Sequence, residues 1–142
     1  MTALEIYETM RRAGFPPVVA VTMTAISLRE SGGNPAAFND NAATGDRSYG
    51  LLQINMKDAN VAKLIKERVL SSAGDEKELL EPVTNARAGF LLWGGQNHNL
   101  DIAWYINRPG IYRDRYESHL PAAQNAALAS VLTPNPPPEK IT

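Results

Sequence analysis

Cysteine is absent from the 142 residues. That excludes disulfide staples, thiolate zinc sites and a cysteine nucleophile. Histidine is nearly absent, and His98 and His119 alone cannot make a three-histidine metal site. No apolar run approaches the roughly 18 residues needed to span a bilayer. The first fifteen residues, MTALEIYETMRRAGF, lack the basic-then-apolar order of a secretory signal, so no cleaved signal is expected. An excess of one charge is lacking too. Fourteen Lys and Arg against 15 Asp and Glu leave a net charge of −1, too little field to hold nucleic acid or an anionic membrane, and neither is expected as a partner. What is present is ordinary for a folded chain: 44% hydrophobic and 20% charged residues, enough for one domain with a real core.

Thr2-Ala3-Leu4-Glu5 reads as a capping box. It opens a helix with Leu4, Tyr7 and Met10 on one face and a stop at Gly14. Pro17 suits the first position of the next helix, where its missing N–H would have no partner anyway. Val18 to Leu28 is apolar nearly all round and predicts a central, buried helix, ended by Arg29-Glu30-Ser31-Gly32-Gly33-Asn34-Pro35. Residues 36–56 have no helical period and predict a two- or three-stranded hairpin turning near Thr44-Gly45-Asp46. Helical spacing returns at Val61, Leu64, Ile65, Arg68 and Val69. It returns again over Pro82 to Trp93, with Val83, Ala86, Phe90 and Trp93 inward. Asn99 to Ile106 reads as a short helix and Pro121 to Leu132 as the last. The expected fold is mainly α with a small β-hairpin, an α+β single domain over 1–132, and 133–142 is a Pro-rich tail or linker.

Glu30 is the first candidate for chemistry. It sits in the last turn of an apolar helix, and both the negative end of the helix dipole and apolar surroundings favour the neutral acid. A general acid for glycoside cleavage needs that state. The plain alternative is a helix-end Glu in solvent or paired with Arg29 or Arg12. The second candidate is Asp46-Arg47-Ser48-Tyr49-Gly50-Leu51-Leu52-Gln53-Ile54-Asn55. Read as one strand, it puts Ser48, Gly50, Leu52 and Ile54 on one face and Tyr49, Leu51, Gln53 and Asn55 on the other. Amide and hydroxyl side chains suit the hydroxyls and N-acetyl groups of a sugar polymer, and Gly50 would let a sugar ring come close to the backbone. A polar hairpin without a ligand has the same composition. Among the aromatics, Trp93 fits the core, whereas Trp104, Tyr105 and Tyr112 offer faces for sugar rings. His98 and His119 read as surface residues. Arg108, Arg113 and Arg115 form a basic cluster that would suit peptide carboxylates or simply face solvent.

Glu30-Ser31-Gly32-Gly33-Asn34-Pro35, followed by Ser48-Tyr49-Gly50-Leu51-Leu52-Gln53-Ile54-Asn55, resembles the lysozyme-like fold of soluble lytic transglycosylases and goose-type lysozymes. Leu52 stands where Met is usual. The distal Ala-x-Tyr-Asn of the transglycosylases has its nearest match in Ala103-Trp104-Tyr105-Ile106-Asn107, with one extra residue before Asn107. The overall pattern looks most like lysozyme-like domains of phage tail and virion proteins.

The resemblance implies a peptidoglycan glycosidase with Glu30 as general acid, needing no cofactor. Ser31 and Ser48 would polarise substrate oxygens; Tyr49, Gln53, Asn55, Trp104 and Tyr105 would bind the polymer. Gly45-Asp46-Arg47 resembles the Gly-Asp-Arg of goose-type lysozymes, whose Asp helps position water, but a second Asp of those enzymes is Asn55 here. Hydrolysis with Asp46 as a second catalytic carboxylate and lytic transglycosylation without one both remain open, and Asp46 also suits a plain turn. The expected partners are bacterial peptidoglycan and phage tail or virion proteins, and the expected setting is a virion or the host periplasm and wall. The competing expectation is a non-catalytic wall-binding or structural virion module.

Overall fold

The computed structural model describes residues 1–41, 43, 46–56, 58–95 and 116–132, with only the backbone of Asn41, Asp46, Asp58 and Gly95. The expected helix at 99–106 and the Pro-rich segment 133–142 lie outside these residues.

Helix α1 (Ala3–Ala13) begins with the capping box expected from Thr2 and Glu5. The Glu5 amide donates to Thr2 Oγ1 at 3.1 Å, and the Thr2 amide donates to Glu5 Oε1 at 2.8 Å. Helix α2 (Pro17–Ser31) starts on Pro17 and stops at Gly32. It packs against α1 and the last helix, α5 (Leu120–Leu132), which also pack against each other. Its apolar surface is not wholly buried: Ala20, Met23, Ala25 and Ile26 are buried, whereas Val18, at its first turn, is 81% exposed. Helix α4 (Pro82–Gly95) packs on α1. There Phe15, Phe90 and Trp93 form a three-ring cluster, with centroids 5.3 to 5.8 Å apart and the Phe15–Phe90 pair edge to face. Trp93 is therefore core, as its spacing predicts.

Between α2 and α4 lie a three-stranded antiparallel sheet of β1 (Phe38–Asn41), β2 (Asp46–Tyr49) and β3 (Ile54–Asn55), helix α3 (Asp58–Lys66) and a 3-10 helix (Glu76–Leu80). Phe38 pairs with Tyr49, Asn41 with Asp46, Ser48 with Asn55 and Tyr49 with Ile54. The sequence reading needs two corrections here. Residues 46–55 are not one strand. They are two strands joined by a tight turn over Gly50–Gln53, so the strict two-face alternation breaks at Gly50. Helix α3 is also shorter than its apolar spacing suggests. It ends at Lys66, and Arg68 takes a left-handed conformation, φ 60°. The Arg68 amide then donates to the Ile65 carbonyl, and the Val69 amide to that of Leu64. Glycine is the usual residue at such a helix stop, and a side chain there costs about 1 kcal/mol. The 3-10 helix, with Leu79 fully buried, was not expected from periodicity.

Helix α4 is capped by Glu81. Its Oε2 accepts from the Thr84 amide at 2.6 Å and the Thr84 hydroxyl at 2.8 Å, and its Oε1 from the Val83 amide at 3.2 Å. Partial burial pushes the Glu81 pKa up. The hydrogen bonds from Thr84 and Val83, with Arg87 nearby, outweigh that and hold it below the ordinary carboxylate range. A lowered folded pKa gives stability that is fully present above the unfolded value of about 4.3 and is lost as pH falls through the folded value. Glu81→Gln is expected to cost about 1 kcal/mol or less at pH 7, because the carboxylate is largely solvated. In urea unfolding measured from pH 7 to pH 2, the gap to the parent protein should close at the acid end. A gap independent of pH would show that the charge plays no part in the cap.

Candidate functional site

The last turn of α2 and the β2–β3 turn are tied together through serine. Ser27, fully buried, donates from Oγ to the Leu51 carbonyl at 3.3 Å. Ser31 donates from Oγ to the Ser27 carbonyl at 3.0 Å. Residues three and four apart share a helix face, so Glu30 and Ser31 lie on the face that Ser27 turns to the hairpin. Glu30 is half-buried there, one residue before the helix ends. The helix turn that carries Glu30 is thus joined to the β2–β3 turn through Ser27. The Ser31 hydroxyl hydrogen is already used on its own helix, so toward a ligand this oxygen acts as an acceptor.

Gly50 and Gln53 have tasks other than those expected from the sequence. Gly50 is buried with φ 77°. A Cβ at this position would overlap Asn85 Nδ2 and the Leu79 carbonyl oxygen. What comes close to this backbone is the protein's own α4, and no sugar ring fits there. Gln53, at φ 50°, donates from Nε2 to the carbonyls of Gly50 at 2.9 Å and Ala37 at 3.1 Å. Its Oε1 accepts from Asn39 Nδ2 at 2.6 Å. Both amide hydrogens are spent inside the hairpin. Gln53 braces β1 against the turn, and only a lone pair on Oε1 remains for a ligand.

Ser48 sits in mid-sheet, opposite Asn39 on one side and Asn55 on the other. Tyr49 is half-buried and its ring packs on Phe38, centroids 4.8 Å apart. Asn55 is half-buried on β3, where its carbonyl accepts from Asn60 Nδ2 at 2.8 Å. Asp46 begins β2 opposite Asn41, and its side chain is outside the described residues. Trp104, Tyr105 and Asn107 also lie outside them, as do Tyr112, His98, Arg108, Arg113 and Arg115. His119, expected on the surface, is half-buried beside the start of α5. Among the described residues no group of three or more His, Asp or Glu side chains is placed to hold a metal ion. No helix among them is long and apolar enough to cross a membrane.

The residue that sequence reasoning missed is Asn85. It is fully buried on α4. Its Oδ1 accepts from the Leu52 amide at 2.8 Å, and its Nδ2 donates to the carbonyls of Tyr49 at 2.7 Å and Leu79 at 2.9 Å. One carboxamide thus satisfies three backbone groups of the turn and the 3-10 helix. The available signal was an Asn at helical spacing from inward-facing apolar residues, one position before Ala86, since a buried amide implies partners.

A protein-family model described as a lysozyme-like domain matches residues 7–101. That span takes in α1 from Tyr7 onward, α2, the sheet and all of α4. No curated protein and no solved structure matches the chain.

Proposed function

The chain belongs to the lysozyme-like domain family, and from that membership we propose a peptidoglycan glycosidase that cleaves the β-1,4 bond between N-acetylmuramic acid and N-acetylglucosamine, with Glu30 as general acid. Action on peptidoglycan follows in general terms from the family. The assignment of Glu30 is supported by one observation above all: the Ser27 hydroxyl joins the last turn of α2 to the β2–β3 turn, so the Glu30 face of the helix meets the hairpin.

In this reading the Glu30 carboxyl gives its proton to the glycosidic oxygen as the C1–O bond breaks. The resulting carboxylate then takes a proton from the nucleophile that attacks C1. A water nucleophile gives hydrolysis. The C6 hydroxyl of the same muramic residue gives a 1,6-anhydro end. Asp46 at the start of β2 is the candidate to hold the water; Ser31, Ser48, Tyr49, Asn55, Trp104 and Tyr105 are candidates to hold the glycan. The setting we propose is a phage virion or tail acting on the host wall.

Mass spectrometry of digested wall tests the reaction class, because an anhydro end is lighter by one water. If Asp46 holds water, Asp46→Asn should cut hydrolysis by about 100-fold or more. If the C6 hydroxyl attacks, the same variant should keep its rate and its anhydro products. Hydrolysed ends released by Asp46→Asn at the parent rate would contradict both versions. Wall suspensions that stay turbid with the folded parent protein would indicate a binding or structural module instead.

A further inference from the structure

A cavity of about 570 Å³ lies between the end of α1, the segment after α3 and the outer face of α4. Ala13 lines it, at the C-terminal end of α1. Glu30 belongs to the other end. The N-terminal amine donates to the Gly33 carbonyl at 2.8 Å, which holds the α2 terminus beside the start of α1. An 11-residue helix is roughly 16 Å long, so this cavity is separate from the Glu30 site.

Three of its lining residues are charged. They are Arg68, Arg87 and Glu67, a net charge of +1. Among the described residues no carboxylate lies within 4 Å of either guanidinium, and the charge of Arg87 acts on Glu81 only from a longer distance. The apolar lining includes Val69 and Phe90, and Phe90 packs edge to face on Phe15. Arg68 is also the residue in the left-handed conformation at the α3 stop, where glycine would sit without strain. An unfavourable backbone that carries a charged side chain into a cavity points to a role for that side chain.

We propose that this cavity binds the carboxylate end of a short peptide, and that its natural occupant is the peptide stem carried by the wall polymer. Identifying the stem rests on the peptidoglycan reading above. Either guanidinium can take a carboxylate bidentately, and two in one cavity favour a single negative charge there. Glu67 brings an acceptor for peptide N–H groups to the same cavity, and its charge disfavours a doubly charged phosphate. The apolar lining suits small side chains such as alanine. The volume is in the range of small-ligand pockets.

The test is a calorimetric titration of the intact chain with diacetyl-lysyl-D-alanyl-D-alanine, run on the parent protein and on Glu30→Gln. Saturable binding is expected in both, weakened at least tenfold by Arg87→Ala, by Arg68→Gly and by replacing the peptide's carboxylate with an amide. Arg68→Gly keeps the left-handed turn without a Cβ, so its melting temperature should not fall and misfolding would not explain a loss. No binding at about 10 mM peptide, binding that survives both substitutions, or equal binding of inorganic phosphate would each overturn the proposal. The titration reads binding, not cleavage. A chain that fails to cut wall glycan but binds the tripeptide would overturn the glycosidase reading alone.

Discussion

Replacing Glu30 by Gln is expected to leave a folded protein that clears wall suspensions at least 100-fold more slowly. The amide keeps the size of the side chain and much of its hydrogen bonding but has no proton to give. General acid–base catalysis contributes about 10²–10⁴-fold to such reactions. The fold should be indifferent to the change. Glu30 sits half-buried in the final turn of α2, and the contact that ties this turn to the hairpin is made by Ser27, three residues earlier. Unfolding curves of the two proteins should therefore coincide while turbidity assays diverge. Clearing at the parental rate by the folded variant would remove Glu30 from the mechanism, and another carboxylate would have to supply the proton.

The largest effect on stability is expected at Asn85. In Asn85→Ala the Leu52 amide and the carbonyls of Tyr49 and Leu79 lose their partner together, in a place with little access to water. Leaving buried polar groups unpaired costs about 1–3 kcal/mol each, offset in part by relaxation, so a total of about 3–5 kcal/mol is expected in urea unfolding. Gly50→Ala should approach the same loss by a different route. The added methyl would overlap the Asn85 amide and the Leu79 carbonyl oxygen, and the backbone there has φ 77°. Activity should fall with stability in both variants, since the turn they support lies against the α2 terminus. A cost below about 1 kcal/mol for Asn85→Ala would mean that packing alone holds the turn.

Helices α1, α2, α4 and α5 were legible from their residues, and so was the place of Glu30 at the end of α2. The capping box at Thr2, Pro17 at the start of α2 and the glycines after α1 and α2 act within three or four residues of themselves, so the chain carries the whole signal locally. The motif that joins Glu30-Ser31 to the Ser48–Asn55 segment was likewise readable as a pattern, and the family match bears out the lysozyme-like reading. The apolar spacing failed at Arg68, because a helix stop with an unusual residue leaves no glycine to announce it.

What only the tertiary structure decided is how the hairpin is held. Asn85 meets the turn from 33 and 36 residues away, and together with the Leu79 carbonyl it leaves no room for a Cβ at Gly50. Gln53 reads from its sequence context as a ligand for sugars. In the fold its amide is turned inward, onto Ala37, Gly50 and Asn39. A polar side chain looks the same in a sequence whether it faces a substrate or a buried carbonyl. The difference lies in what the folded chain brings within reach: the hairpin sets the Ala37 carbonyl and Asn39 beside Gln53, and α4 lays the buried Asn85 on the turn, where each hydrogen-bonding group must find a partner within the protein.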